Sequence, residues 1–565
     1  FLLRNNGLPE ASVDPHGAPP SRHSQRMLTT LPVLARPDTY DMLVIGLGGG
    51  VALENLPPVL RQVDVLELEP KVVTANQQIA EERAVDPLRD PRVSITINDV
   101  RSALALSQRT YDAIVSQPSH PWTAGASHLY TREFMQLARE HLNPGGTFLQ
   151  WMNSQFVDEA LLRSLAATLL DVFPHVRLYH WDPQVLMLLA SDQPLNPELE
   201  IARTGAPIGQ HPDHYQAKGV GSVEDLLAAL AMDRDGLVEF SAGAALLTDN
   251  RNRMATDSAR AMQEGRALNH RALLALLAPY HPLLDANGWV YRDLPKGLNF
   301  SYVGRRLQGM GAPSLAAQLA ELLAKKQNPH GPVLASRLLA ETDQQRSTAA
   351  LLQALRWDSS FDAARFALVF PNASRIANGS APPQLAAQAA RLTGPAAAVL
   401  RSWASARQGD FQPAQALDAT LAEAQPTDPW YLNALKLRAD WRNRQVRSPE
   451  RRRFAREALD LIDEGISLFQ DLDFYGMRTA AAFLAEDDEA FVETARRMVW
   501  LMRDQLDQAG RDHRRLPART TQANLQRLAS LRQGVEAVGH RGLPEEKIEE
   551  IRTRIAELER RYRLL

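Results

Sequence analysis

The chain has 565 residues, too many for one ordinary hydrophobic core, so two or more domains are expected. A formal net charge of -3 argues against a general nucleic-acid binder and leaves only a local basic patch open. The absence of cysteine excludes disulfides and cysteine-ligated metal sites, and no run of about eighteen apolar residues is present to span a membrane.

The sequence opens in "FLLRNNGLPEAS", where apolar residues flank an Asn6-Gly7 turn signal, the pattern of a β-hairpin. Phe1 reads either as an arbitrary start or as the continuation of a segment that preceded it. Up to about residue 195, "DMLVIGLGGG", "VDVLELEP", "VSITINDV", "YDAIVSQPS" and "GGTFLQWM" are strand candidates separated by amphipathic stretches. That alternation predicts βαβ units and a parallel sheet. "VRLYHW" and "VLMLLAS" read as a closing antiparallel pair joined by an Asp182-Pro183 turn.

Residues 196–260 carry a mixed, loop-rich signal. From 261 to 565 the pattern is helical, with Trp403, Gly409, Ala416 and Leu421 near the positions of a tetratricopeptide-like unit and a break at Pro429. Ile548, Ile551, Ile555, Leu558 and Tyr562 form one face of the last helix, expected to dock on preceding helices rather than in a coiled coil. The organisation expected is thus 1–195, 196–260 and 261–565: an α/β Rossmann-like domain of methyltransferase type with an N-terminal hairpin, a linking extension, and an all-α domain of helical hairpins.

In "VIGLGGG", Gly46, Gly48 and Gly50 let the backbone turn sharply and approach a ligand, and a following helix would offer unpaired N–H groups. Glu67, some twenty residues on at a strand end, suits a ribose, because a carboxylate accepts from both hydroxyls. Asp99 ends the next strand and suits an adenine amino group. A dinucleotide fingerprint wants a small residue where Val51 stands, whereas the G-x-G-x-G form suits an adenosyl-sulfonium cofactor without a pyrophosphate. An ordinary tight turn with surface carboxylates is the plain alternative.

The order of "LLRNNGLPEAS", "SQRMLTTLPVLARP", "MLVIGLGGG", "VLELEP", "INDV", "YDAIVSQPSHPWTAG" and "LYTREFMQLAREHLNPGGTFLQW" resembles the spermidine synthase (polyamine aminopropyltransferase) family over residues 1–195. "PSHPWTAGASHLYTREF", and "LLTDNRNRM" around Asp249, resemble bacterial forms in which this domain follows membrane-spanning segments. The resemblance implies binding of decarboxylated S-adenosylmethionine or of the methylthioadenosine product, with Gln25 on the nucleoside, Glu67 on the ribose and Asp99 on the adenine side; S-adenosylmethionine is the other cofactor the site is expected to take. It implies no metal, a polyamine as second substrate, and a cytoplasmic-face, membrane-associated setting through a segment before Phe1. Asp112 is expected to be structural and Trp122 a lid or wall of the site rather than a stacking surface for a substrate.

Three positions depart from the family pattern: Gly49, Gln117 and His120 stand where aspartates are usual. Aminopropyl transfer needs a deprotonated amine, and simple amines have pKa values of about 10. Carboxylates hold the dication and take its proton. Gln117 does neither, and a histidine, titrating near about 6.5, is a base that repels a polyamine when protonated. Positioned bases contribute about 10²–10⁴-fold, so standard transfer is not expected. Three readings follow: an adenosyl-dependent transferase with altered chemistry, a domain that only binds or senses the nucleoside, and a scaffold whose helical half binds a protein.

Overall fold

Strands β1 (Leu2–Asn5) and β2 (Leu8–Ser12) pair antiparallel as the expected hairpin. Gly7 sits in the turn at φ +81°, which glycine adopts without steric cost. The computed structural model describes residues 1–5, 7–21, 24–118, 120–123, 125–511 and 516–564, so Asn6 of the expected turn lies outside the described residues.

The foreseen strands follow as β3 (Asp41–Ile45), β4 (Gln62–Glu67), β5 (Val93–Ile97), β6 (Tyr111–Ser116) and β7 (Leu142–Asn153). The closing pair is β8 (His175–Asp182) and β9 (Val185–Ser191). Its turn is Pro183-Gln184 and not Asp182-Pro183. Asp182 is still paired with Val185, and its Oδ1 accepts the N–H groups of Gln184 (2.9 Å) and Val185 (3.0 Å). One strand was not foreseen, β10 (Leu230–Met232), which pairs antiparallel with β8. It runs straight on from the helix Val223–Ala229, and every residue of both is buried, so no periodicity marks the change.

The eight-stranded sheet has the order β5-β4-β3-β6-β7-β9-β8-β10, parallel from β5 to β7 and antiparallel beyond. Helices α1 (Met27–Ala35), α2 (Pro70–Gln78), α3 (Val100–Leu106), α4 (Arg132–Glu140) and α5 (Glu159–Val172) belong to this part of the chain. Phe134, Phe148, Leu165 and Phe173 form part of the core, with Phe148 stacked on Phe173 at 5.7 Å. The chain runs from β3 to one edge through β4 and β5, then returns to β6 on the other side of β3. The loops after β3 and β6 therefore part over one crevice, where open α/β sheets bind ligands.

The glycine turn does not open an α-helix as expected. Only a three-residue 3-10 turn, Val51–Leu53, follows it. Pro57 and Pro58 come next, and a residue before proline is steered away from helical backbone.

Two compact units divide the chain: Phe1–Asp14 with Arg22–Leu322, and Pro15–Ser21 with Leu323–Leu565. The sheet-bearing unit continues beyond 195 and 260 because Leu237, Met254, Leu268 and Leu273 share the core of Phe148 and Leu165. In the helical unit, Tyr431–Asn443, Arg451–Leu468 and Leu472–Ala485 pack in succession. After the Trp403 helix (Gly394–Arg407) come two short helices, Gln412–Gln415 and Leu417–Ala422. On the last helix, Glu545–Arg563, the predicted apolar face is buried, and Tyr562 donates to the Met502 carbonyl (2.8 Å). Among the described residues no helix is long and apolar enough to cross a membrane.

Candidate functional site

The first turn of the site is made by what its backbone must do. Gly46, Gly48 and Gly50 have φ of +90°, +52° and +72°, a region that penalises a side chain. A Cβ on Gly48 would meet nothing within 4 Å, so the turn leaves open space there. Its carbonyls are held by a buried network. Asn76 Nδ2 donates to Gly48 O (2.8 Å) and Arg83 Nη2 to Gly49 O (2.9 Å). Arg83 also donates to Glu54 Oε1 (2.8 Å), and Arg26 donates to Glu54 Oε2 (2.6 Å). Arg26 is thereby fixed, and with it the neighbouring Gln25.

The acids at the strand ends divide their tasks. Glu69 caps α2, accepting from Lys71 N (3.0 Å), and Asp99 caps α3, accepting from Ser102 N (2.9 Å). Glu67, only 8% exposed, accepts Leu47 N on Oε2 (2.7 Å) and Glu69 N on Oε1 (2.9 Å). One carboxylate thus joins the glycine turn to the end of β4, and each oxygen keeps a further lone pair.

These segments surround a cavity of about 400 Å³, in the range of small-molecule sites. Gln25, Gly46, Gly48, Glu67, Asp99 and Gln117 all line it. Gly50 and His120 do not. A Cβ on Gly50 would lie 2.8 Å from Pro87 Cγ, so this glycine serves the packing of the turn.

Past β6, Gln117 Nε2 donates to Gly46 O (2.6 Å), which ties the two crevice loops together. His120 is 4% exposed and packs between Trp122 (5.1 Å) and Phe156 (5.3 Å). Trp122 meets Phe156 edge-on at 5.1 Å and is a wall for His120 rather than for the cavity. Ser119 and Ala124 lie outside the described residues. Asp112 bonds Tyr40 N (2.8 Å), Asp41 N (3.0 Å) and Asn143 Nδ2 (2.7 Å), joining the starts of β3 and β7 as expected of a structural residue.

Asp249 comes from the extension. It takes Arg101 bidentately (2.8 and 2.7 Å) and accepts from Thr131 Oγ1 (2.8 Å). The Arg101 hydrogen bonds hold its carboxyl well below the usual carboxylate range, against the opposing push of burial. This latch joins α3, which begins at the cavity, to the segment after Gly125, which also lines it. Sequence reading missed Glu10 of the hairpin and Trp151 of β7, both in the lining. No local signal marks them, because each reaches the cavity through tertiary folding alone. Among the described residues no cluster of three or more His, Asp or Glu is arranged to hold a metal ion.

Residues 22–182 match the sequence family described as the spermine/spermidine synthase domain. The spermidine synthase of Coffea arabica is 30% identical over 160 residues, covering 28% of this chain and 50% of that protein. The polyamine aminopropyltransferase of Nitrosomonas europaea is 30% identical over 151 residues, covering 26% and 46%. The chain spans about half the length of the curated relatives it matches. Among solved structures, a spermidine synthase in complex with the transition-state analogue AdoDATO aligns with a TM-score of 0.29 and 21% identity, covering 33% of this chain and 66% of that one. The Thermotoga maritima spermidine synthase aligns with a TM-score of 0.28 and 22% identity, covering 33% and 65%.

Proposed function

We propose that the cavity binds an adenosyl-sulfonium nucleoside, decarboxylated S-adenosylmethionine or S-adenosylmethionine, in a spermidine synthase-like site that does not perform standard aminopropyl transfer to polyamines. The observation that carries this reading is the meeting of Gln25, Gly46, Gly48, Glu67 and Asp99 around one cavity, within a stretch similar to the spermine/spermidine synthase domain. The missing helix after the glycine turn favours this ligand over a dinucleotide. A pyrophosphate draws on the N–H groups and dipole of a helix start, and a three-residue 3-10 turn supplies neither on that scale.

When bound, such a nucleoside supplies a carbon activated by the adjacent sulfonium. The chain's own part is to place it: Glu67 toward the ribose, Asp99 toward the adenine, and the open space over Gly48 for close approach. Gln117 offers the crevice no charge and no proton acceptor, and its amide N–H is already given to Gly46 O. His120 is walled off by Trp122 and Phe156. That burial favours, as the second reading, a sensor or scaffold in which nucleoside binding is not followed by transfer and the helical unit binds a protein. Membrane association and a cytoplasmic-face setting stay part of the resemblance and gain no support from the described residues.

Titration calorimetry of the full chain with methylthioadenosine and both sulfonium nucleosides tests the proposal. Binding is expected, with no turnover of putrescine or spermidine from pH 6 to 9. Glu67→Ala is expected to weaken methylthioadenosine by at least about tenfold, the scale of a lost hydrogen bond to a charged group. If no nucleoside binds, the reading fails; unchanged affinity in Glu67→Ala would refute the ribose assignment.

A further inference from the structure

Lys218 is the only lysine buried among the described residues, at 7% exposure. It lies between the helices Pro212–Gln216 and Val223–Ala229. The turn that carries it is pinned. Lys218 N donates to Tyr215 O (3.0 Å), Val220 N donates to the same carbonyl (2.9 Å), and Arg306 Nη2 donates to Gly219 O (2.7 Å). The side chain reaches α1, where Nζ donates to Thr30 Oγ1 (2.8 Å). Thr30 gives its own hydroxyl hydrogen to Arg26 O (2.8 Å), so it meets the amine with lone pairs alone. An ammonium brings three donors, and among the described residues this hydroxyl is its one acceptor. No described aspartate or glutamate acts on Lys218.

The charges that face Lys218 are cationic. Burial first, then Arg26 at the start of α1 and Arg92 just before β5, hold its amine well below the usual lysine range. Both guanidiniums are fixed, Arg26 by Glu54 (2.6 Å) and Arg92 by Asp90 (2.6 Å). His214 stands close by. Burial, and then the charge of Lys218, push its imidazole down to about 3, and its Nε2 is buried without a partner. The group is therefore a neutral amine beside two fixed cations and a neutral imidazole. None of Lys218, Thr30, Arg92 and His214 lines the nucleoside cavity. Burial admits only a small, uncharged reagent to such an amine. The flanking guanidiniums favour a product that carries negative charge, which an amide would not. Carbon dioxide meets both conditions.

We propose that Lys218 is a carbon dioxide acceptor, which forms a carbamate on Nζ beside Arg26, Arg92 and Thr30. The nitrogen lone pair bonds to the carbon, and one C=O electron pair moves onto oxygen. One of the two amine hydrogens leaves as a proton to water. A neutral amine and carbon dioxide thus give a carbamate anion and a proton, with nothing oxidised or reduced and no further reactant. The carbamate nitrogen keeps one N–H, which Thr30 Oγ1 goes on accepting. Its carboxylate places among the guanidiniums the negative charge that the bare amine lacks. The neutral His214 ring offers an N–H to an oxygen in one of its tautomers.

The test is carbon NMR of the full chain at neutral pH in carbon-13-labelled bicarbonate. A carbamate resonance that grows with dissolved carbon dioxide is expected in the wild type. It should be lost in Lys218→Met, which keeps a long unbranched side chain without a nucleophile. It should also be lost when the wild type is unfolded in guanidinium chloride, because an unfolded lysine titrates at about 10.4 and is protonated at neutral pH. Trapping the wild-type carbamate with a trialkyloxonium salt, followed by digestion and mass spectrometry, should place the carboxyl group on the peptide that carries Lys218. That assignment does not depend on how the variant folds. No carbamate resonance in the folded wild type overturns the proposal. So does a carboxyl group trapped only on the amine of Phe1 or on exposed lysines such as Lys71, and so does a resonance that survives in Lys218→Met or in the unfolded chain.

Discussion

Arg83 is buried and forms the hub of the site. Its guanidinium reaches Glu54, Asn76 and the carbonyl of Gly49. Replacing it by methionine leaves Glu54 with Arg26 as its one ion-pair partner among the described residues. Breaking a buried pair from one side typically costs about 3–5 kcal/mol. Arg83→Met is expected to lose stability at the lower end of that range, because Arg26 stays, and to weaken methylthioadenosine as Gly49 is released. Urea denaturation and calorimetry check both; an unchanged midpoint would show that Arg26 alone neutralises Glu54. Two buried histidines give the sheet-bearing unit a pH dependence. Burial, helped by the neighbouring His270, pushes His180 down to about 3, and burial pushes His281 down to about 4. His281 Nδ1 also accepts Leu283 N (3.2 Å), which requires that nitrogen to be unprotonated. Unfolded, both imidazoles take up protons from about pH 6.5 downward while the folded ones do not. The unfolded state then binds more protons, so stability is lost as pH falls below that value. The slope approaches about 1.4 kcal/mol per pH unit for each group. Urea midpoints at pH 7, 6 and 5 should fall in that order, and His281→Asn, which keeps a capping oxygen, should flatten the slope.

Among the elements, the hairpin explains one departure from the family pattern. A Cβ on Gly49 would lie 2.8 Å from Val13 Cγ2 and 2.9 Å from Ala11 Cβ. The place of an aspartate side chain is filled by the hairpin strand and the residue after it. Gly49→Asp is therefore expected to displace β2, at a cost of about 1–3 kcal/mol typical of overpacking. Faster hydrogen exchange over residues 1–14 would report it, and adding Gln117→Asp and His120→Asp should still give no aminopropyl transfer. Exchange at the wild-type rate would mean that the hairpin accommodates the side chain. The elements differ in how readily the sequence shows them. β3 is apolar and almost wholly buried, so its run of Met, Leu, Val and Ile is visible directly. Glu67 and Asp99 were legible because a strand end fixes where its next acid stands. β10 was not, since full burial erases periodicity, and the failed helix after Gly50 was obscured by its glycine signal. Glu10 was invisible for another reason: its neighbour His120 is more than a hundred positions away, and nothing local marks a pairing made by the fold.

At the scale of the whole molecule, the two units do not correspond to two halves of the sequence. Residues 15–21 count with the helices, although the hairpin before them and α1 after them belong to the sheet-bearing unit. Gly17, at φ +74°, donates no side chain to this arrangement and could not: a Cβ there would lie 2.6 Å from Ala490 N and 2.7 Å from Glu489 C. Gly17→Val is expected to destabilise the helical unit by more than about 1 kcal/mol, since both the backbone region and the space exclude it. A lowered urea midpoint for the loss of helical circular dichroism checks this, and an unchanged one would show that 15–21 can be detached without consequence. The Gly17 carbonyl accepts Arg478 Nη1 (3.0 Å) across 461 residues of sequence. At about 5–20 residues per second, a ribosome needs roughly 20–90 s to make that interval. The segment therefore waits, flanked in the chain by residues of the sheet-bearing unit, until the helix bearing Arg478 emerges. A stretch made hundreds of residues before its partner finds its place only once that partner exists.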